Sequence, residues 1–264
     1  MKIKEKIKLS FDKGSIKYDN FSSIQNMVGD LMINILKETY PNLKSKISFK
    51  KVLELGSGTG EFSKKVLDLF DIKLFHLIDI SPEMIKKSKS KLPSKNIKFS
   101  INDFDYYQNF ESQNFILSNM SLHWSSDIIK LIKKILSKLG KNSIFFFSVP
   151  DHSSFKVINN IFFKNEKNKV LNGLPEKKKI LNIFDEKKFD TKFKTFNLQK
   201  KYKDPLSFLK ELKQIGANTK ISDVSFKNKK KINQSIFFLR KFVNKKIVVN
   251  YSVSCFLIRR KDVN

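Results

Sequence analysis

This sequence has little cysteine and no long apolar segment. Cys255 is the only cysteine in 264 residues, which rules out a disulfide within the chain and is typical of proteins in a reducing compartment. The longest apolar candidate, Ile144 to Val149, is far shorter than the roughly 18 residues of a membrane span. Residues Met1 to Lys8 alternate lysine with single apolar residues, unlike a secretory signal. We therefore expect a cytoplasmic protein without a membrane segment.

Arginine and alanine are also scarce. Three of the 53 basic residues are arginines, so 50 are lysines, and Ala217 is the only alanine. The formal charge of +28 raises the question of a nucleic-acid partner. However, the lysines are spread over the whole chain, and this amino-acid bias is what an AT-rich coding sequence produces. We do not expect nucleic acid as the partner, whereas an acidic protein would be attracted by such a surface.

Glycine is rare as well, yet it is concentrated at one place. The chain has eight glycines, and Gly56, Gly58 and Gly60 lie within five positions. They follow an apolar segment, Val52 to Leu55, and precede apolar residues at helical spacing from Phe62. Glycine allows a positive φ angle or a close approach of a ligand to the backbone. The pattern predicts a strand, a turn and a helix, the junction at which open α/β sheets bind ligands.

The residues around this turn narrow the choice of ligand. No Gly-Lys-Ser/Thr follows, as a phosphate-binding loop would require, and Glu61 stands where a dinucleotide fingerprint has its last glycine. The motif E-x-G-x-G-x-G resembles the first motif of the class I S-adenosylmethionine-dependent methyltransferases. The resemblance implies that the turn binds the methionine part of that cofactor and that the acid helps to hold its amino group. The residues concerned are Glu54, Gly56, Ser57, Gly58 and Gly60. The alternative is a turn that serves packing only.

A second motif follows the next predicted strand, Leu74 to Asp79. Asp79 lies 19 positions after Gly60 (79 minus 60), the spacing at which an acid can accept hydrogen bonds from both ribose hydroxyls. The segment from Asp79 to Ile85 resembles the D-x-S-P-x-M-[LI] segment of the same methyltransferases. The resemblance implies that Ile80 and Met84 flank the adenine.

Further polar residues follow the third predicted strand, Ile97 to Ile101, and end the fourth, Phe115 to Asn119. Resemblance to the same class places Asp103 at the exocyclic amine of adenine and Phe104 beside it, and implies that Asn119 binds cofactor or substrate. His123 is either a base or, as we prefer, a polar lining residue, and Trp124 is expected to form part of the wall. No cysteine or second histidine is near in sequence, so we expect no metal site.

The elements together predict a Rossmann-like, doubly wound α/β fold. We expect seven strands, mostly parallel, with the last strand antiparallel and at the edge of the sheet. One domain should cover residues 1–264, and it should include an N-terminal arm and helix (1–45) and a lid insertion (151–190). The other predicted elements are helices at 22–40, 127–139, 232–243 and a helix of about eleven residues after Asp204, and a last strand at 247–258.

Four segments outside the cofactor motifs point to a narrower family. They are Phe11 to Tyr18, the helix with Gln25, the segment from Ser118 to Trp124, and the helix end from Pro205 to Asn218. Together they resemble malonyl-acyl-carrier-protein O-methyltransferases, the enzymes that open the pimelate branch of biotin synthesis. The lysine-rich region 156–200 departs from that pattern.

This resemblance implies transfer of a methyl group to the free carboxylate of a malonyl thioester on an acidic acyl-carrier protein or on coenzyme A. A carboxylate is already ionised at neutral pH, so no general base is expected, and a cation in the lid should hold the acceptor. Tyr18, His123 and Trp124 are the candidates for the substrate pocket. Two alternatives stay open: a related methyltransferase for another small carboxylate or a quinone precursor, and an RNA-binding or inactive assembly protein with the same fold.

Overall fold

The computed structural model describes residues 2–40, 47–92, 95–158, 173–217 and 245–262. Seven strands of these residues form one sheet in the order β3-β2-β1-β4-β5-β7-β6. Neighbouring strands are parallel from β3 to β5, whereas β7 is antiparallel to both β5 and β6. The strands are β1 (Ser48–Leu55), β2 (Asp71–Asp79), β3 (Ile97–Ile101), β4 (Phe115–Asn119), β5 (Ile144–Pro150), β6 (Phe189–Tyr202) and β7 (Ile247–Arg260).

Helices connect the strands and begin at side-chain caps in three cases. Ser81, Asp127 and Asp204 each accept a hydrogen bond from a backbone N–H in the first turn of the helix that follows. Proline then occupies the first helical position at Pro82 and Pro205, where no N–H is needed. Among the described residues, the helices are α1 (Ile3–Gly14), α2 (Tyr18–Phe21), α3 (Ser23–Thr39), α4 (Glu61–Leu69), α5 (Pro82–Lys91), α6 (Ile128–Lys138), α7 (Lys177–Leu181) and α8 (Pro205–Gln214).

Both faces of the sheet are buried. Along β1, Val52 belongs to an apolar cluster that includes Val28 and Leu36 of α3, whereas Leu53 belongs to a second cluster with Ile132 of α6. Successive side chains of a strand point to opposite faces, so the two clusters lie on opposite sides of the sheet. Helices therefore cover the sheet on both sides, as in doubly wound proteins.

The predicted fold class is confirmed: the sheet has seven strands, it is mostly parallel, and the last strand of the chain is antiparallel. The expectation that this last strand forms the edge was wrong. It lies between β5 and β6, and the long strand β6 is the edge. Three lysines of β6 are exposed, Lys192, Lys194 and Lys201, and charged side chains on an edge strand oppose pairing with other chains.

The N-terminal segment, which the sequence predicted only as an arm before helix α3, is itself helical. It forms helix α1, and its side chains Ile3, Ile7 and Phe11 recur at intervals of four and pack on the cluster that contains α6. Of the predicted lid insertion, residues 151–158 and 173–190 are described, and the helix expected at 232–243 lies outside the described residues. Among the described helices, none combines the length and apolar character of a membrane span.

Candidate active site

A cavity opens at the carboxyl ends of the parallel strands. Its walls come from the turns after β1, β2, β3 and β4, and from α1, α2, α3, α8 and β7. In doubly wound sheets this edge is where ligands bind. The lining residues are Lys4, Ile7, Phe11, Tyr18, Ile24, Gln25, Gly56, Gly58, Asp79, Ile80, Met84, Asp103, Phe104, Asn119, Met120, Ser121, His123, Trp124, Pro150, Phe155, Leu174, Glu211, Leu212, Ile215, Ala217 and Tyr251.

The three glycines of the turn have positive φ angles but different surroundings. The angles are 70° at Gly56, 56° at Gly58 and 86° at Gly60. A Cβ at Gly56 would overlap the side chain of Ser121, and one at Gly60 would lie 2.7 Å from the Oγ of Ser88. A Cβ at Gly58 would meet no atom within 4 Å. Gly56 and Gly60 are therefore required for packing, while Gly58 leaves its space open toward the cavity.

Asp79 connects the glycine turn to the start of α5. Its two carboxylate oxygens accept backbone hydrogen bonds, Oδ2 from the N–H of Gly58 at 2.9 Å and Oδ1 from the N–H of Ser81 at 2.9 Å. Burial raises the pKa of Asp79 to about 6, although these hydrogen bonds act in the opposite direction. Each oxygen keeps a second lone pair, so the carboxylate can also accept hydrogen bonds from a bound diol.

Glu54 lies behind the glycine turn. It is buried, and its Oε2 accepts a hydrogen bond from the Ser63 hydroxyl at 2.6 Å. Burial raises the pKa of Glu54 to about 8, so the carboxyl is mostly protonated at neutral pH. Glu54, Ser57 and Gly60 are not among the residues that line the cavity. In this structure these three residues contribute to the shape of the glycine turn.

Asp103 and Phe104 both line the cavity, together with a residue that sequence reasoning missed. The Nζ of Lys4 lies 3.1 Å from Oδ1 of Asp103, 2.8 Å from Oδ2 of Asp105, and 5.1 Å from the ring centre of Phe104. It also donates to the carbonyl of Trp124 at 3.2 Å. Lys4 thus fixes α1 over the turns after β3 and β4, and no described residue donates to Oδ2 of Asp103.

The loop after β4 places three predicted residues on the cavity wall. The amide of Asn119 is held at both ends, because Nδ2 donates to the carbonyl of Gln25 at 3.0 Å and Oδ1 accepts from Ser148 Oγ at 2.9 Å. The Nδ1 of His123 is buried without a hydrogen-bond partner in the described part of the chain. Burial lowers the pKa of His123 to about 3, so the ring is neutral at neutral pH. Trp124 packs edge-on against Phe11, 5.3 Å between ring centres.

Tyr18 reaches the cavity because the N-terminal segment is tied to the strand ends. The Thr59 hydroxyl of the glycine turn donates to Asp19 at 2.6 Å, and the Ser81 hydroxyl donates to Asp12 at 2.6 Å. Burial raises the pKa of the Tyr18 phenol above its usual range, and the nearby Asp79 adds to this effect. Tyr18 therefore keeps its proton at neutral pH.

Several lining residues had no assigned position from the sequence. Gln25 and the helix-end motif of α8 had been noted only as family features, and the structure places Gln25, Leu212 and Ile215 on the wall. Phe155 and Leu174 come from the described ends of the predicted insertion. Tyr251 lies within the strand predicted at 247–258, which is a usable signal, because the hydroxyl of a tyrosine buried in a sheet needs a partner. Within the described ranges, no three histidine, cysteine or acidic side chains lie together as metal ligands would.

Comparison with protein families matches residues 30–202 to a methyltransferase domain. The chain belongs to this methyltransferase family. Sequence reasoning had predicted a methyltransferase, and this match confirms it.

Curated relatives of the methyltransferase include the following two bacterial proteins. A protein of Ilyobacter polytropus named malonyl-[acyl-carrier protein] O-methyltransferase 2 is 29% identical over 228 residues and covers 83% of each chain. A protein of Coxiella burnetii with the same name is 29% identical over 159 residues, 60% of this chain and 62% of its own.

Solved structures agree with the fold. The YcgJ protein of Bacillus subtilis superposes with a TM-score of 0.59 at 13% identity, over 89% of this chain and all of its own. Phosphoethanolamine N-methyltransferase 2 of Haemonchus contortus, solved with S-adenosyl-L-methionine, has a TM-score of 0.52 at 15% identity, over 88% of this chain and 52% of its own. At such identities the likeness concerns the fold alone.

Proposed function

We propose that this methyltransferase transfers a methyl group from S-adenosylmethionine to the free carboxylate of a malonyl thioester carried by an acyl-carrier protein or coenzyme A. The observation that carries the proposal is the activity named for two relatives that each align over 83% of this chain. The four segments that resemble this family support it, because residues of each line one cavity. The product would be the malonyl methyl ester that starts pimelate synthesis for biotin, made in the cytoplasm.

The residues present fit the methyl donor. Gly58 leaves open space where a side chain would stand, and Asp79 offers lone pairs at the end of β2, in reach of a ribose. Asp103 offers Oδ2 to an amino group, and Met84 and Phe104 supply apolar surface beside it. When bound, the donor supplies an electrophilic methyl group on a positively charged sulfur.

The loop after β4 would position the acceptor. A malonyl carboxylate is ionised at neutral pH, since carboxylic acids have a pKa of roughly 4, and it needs no base. His123 suits this role, because its ring is neutral and its buried Nδ1 has no partner among the described residues. Catalysis then depends on alignment and on exclusion of water by the ring pair Phe11 and Trp124.

Complementation tests this function. The chain, expressed in a biotin-requiring strain that lacks the malonyl methylation step, should restore growth without biotin. Asp79→Ala should fail to restore it at equal protein level. The malonyl assignment would be contradicted if the strain still needed biotin although the protein is present in soluble form. Methyl transfer by that protein to another small carboxylate or to a quinone precursor would then identify the alternative.

A further inference from the structure

The side-chain amide of Asn119 has a defined sense, because its two neighbours have different hydrogen-bonding groups. Ser148 lies beside it on β5 and is fully buried. The Ser148 hydroxyl oxygen accepts the N–H of Met120 at 2.9 Å, so its single proton is free for Oδ1 of Asn119, also at 2.9 Å. On the other side, Nδ2 of Asn119 lies 3.0 Å from the carbonyl oxygen of Gln25, which can only accept. The amide oxygen therefore faces Ser148, and the amide nitrogen faces Gln25.

Helix α3 confines this amide. Gln25 and Gly29 are about one turn apart in α3, and a Cβ at Gly29 would lie 3.3 Å from Nδ2 of Asn119. The helix backbone thus stands next to the amide, and a side chain at Gly29 would crowd it. If the amide turned over, its oxygen would face the carbonyl oxygen of Gln25. Two facing acceptors without a proton between them are unfavourable, which keeps the amide in the observed sense.

Asn119 has one N–H left for a ligand. An amide nitrogen has two protons. One of them is used by Gln25, no described residue accepts the other, and Asn119 lines the cavity. A group that binds to this N–H must be an acceptor. A carboxylate oxygen is one, whereas a protonated amino group, such as that of the methyl donor, is not.

Within the described residues, the cavity offers no free cation to an acceptor carboxylate. Lys4 is the only lysine or arginine among the lining residues, and its three N–H groups are used by the carboxylates of Asp103 and Asp105 and by a backbone carbonyl. A carboxylate is then bound by neutral donors of this wall and by the positive sulfur of the methyl donor. A hydrogen bond from a neutral N–H to a carboxylate is charge-assisted, and roughly twice as strong as one between neutral groups.

We infer that Asn119 donates its second side-chain N–H to the carboxylate of the methyl acceptor, and that it thereby favours an ionised acceptor over a neutral one of the same shape. Resemblance to the methyltransferase class left open whether Asn119 binds cofactor or substrate, and the sense of the amide favours the substrate. The inference rests on the proposed function, in which the acceptor is a malonyl carboxylate.

Asn119→Asp tests the inference, because it replaces the N–H group by an oxygen with almost no change of shape. Calorimetry compares two thioesters in the presence of sinefungin, an unreactive cationic analogue of the methyl donor. One is malonyl-coenzyme A, and the other is its carboxamide analogue, in which a neutral amide of the same size replaces the free carboxylate. The wild type should bind the carboxylate compound more tightly. In Asn119→Asp the ratio of the two affinities should fall at least about tenfold, which corresponds to the loss of one charge-assisted hydrogen bond.

Asn114→Asp is the matched control. It makes the same substitution at the opposite end of β4, where the side-chain oxygen accepts the N–H of Lys51, and it should keep the wild-type ratio. If Asn119→Asp does not fold, Asn119→Ala removes the N–H without adding an oxygen, and the ratio should fall about fivefold.

Three results would overturn the inference. They are equal affinities of the two thioesters in the wild type, an unchanged ratio in the Asn119 variant, and weaker binding of sinefungin with an unchanged ratio, which would assign Asn119 to the cofactor. If the wild type binds neither thioester, the proposed function fails and the inference falls with it. Binding of both thioesters with an unchanged ratio overturns the inference alone.

Discussion

At alkaline pH, replacing Asp79 by asparagine should raise the free energy of unfolding of the ligand-free protein above that of the wild type. The same substitution should weaken the binding of the methyl donor. Burial holds the pKa of Asp79 at about 6, against an ordinary 3.8. The folded protein therefore binds this proton more tightly than the unfolded chain does. The ionised carboxylate lowers stability increasingly as the pH rises from about 4 to above 6, and the full effect is roughly 3 kcal/mol.

Asparagine keeps the shape but does not titrate. Its single oxygen can accept from only one of the two backbone donors, Gly58 and Ser81, so the variant carries a constant loss of about 1 kcal/mol. The difference in unfolding free energy, variant minus wild type, should nevertheless rise by about 2 kcal/mol between about pH 4.5 and about pH 8. Asp79 is also one cause of the raised pKa of Glu54, and its loss changes stability in the same direction.

Urea unfolding at both pH values measures the stability, and calorimetry measures the affinity for S-adenosylmethionine. Loss of a charge-assisted hydrogen bond should weaken binding about tenfold or more. Asp68→Asn, at an exposed position of α4, should match the wild type in both assays. A stability difference that is independent of pH would refute the buried charge, and unchanged affinity would refute the ribose contact.

Three further substitutions test other parts of the site. His123→Gln should retain kcat within about tenfold in steady-state assays, because the reaction needs no base. A loss of several orders of magnitude would contradict this mechanism. Gly58→Ala should be less stable by roughly 1–2 kcal/mol, because a residue with a Cβ is strained at the φ of 56°. It should also bind the methyl donor at least tenfold more weakly, which thermal shift with and without donor measures. Normal affinity would show that the glycine turn does not hold the donor. Lys4→Met should lower the free energy of unfolding by about 1–2 kcal/mol in urea, since Asp103 and Asp105 lose a partly buried partner; equal stability would mean that solvent replaces the ion pairs.

The sequence predicted those parts of the site that depend on local spacing. A glycine turn after an apolar strand and an acid at the end of the next strand are set by a few neighbouring residues, and Gly58 and Asp79 both line the cavity. Helix α3 was predicted as 22–40 and spans Ser23–Thr39, because its apolar spacing and the proline after it are local signals.

The rest depends on contacts between residues distant in sequence. Lys4 meets Asp103 across 99 positions, and Tyr202 meets Tyr251 across 49. No local pattern fixes such pairs. The edge strand β6 was missed because exposed lysines interrupt its apolar residues, although Phe196, Leu198, Lys200 and Tyr202 alternate with a period of two and are the less exposed positions. The apolar spacing of α1 was available in the sequence and would have predicted a helix.

Methyl transfer to malonyl-acyl-carrier protein, followed by mass spectrometry of the purified protein, tests the central claim most directly. With S-adenosylmethionine present, the account predicts one added methyl group on the malonyl group, and none on acetyl-acyl-carrier protein, which lacks the free carboxylate. A malonyl group that stays unmodified while the enzyme binds the donor, or a methyl group found on the acetyl form, would contradict it.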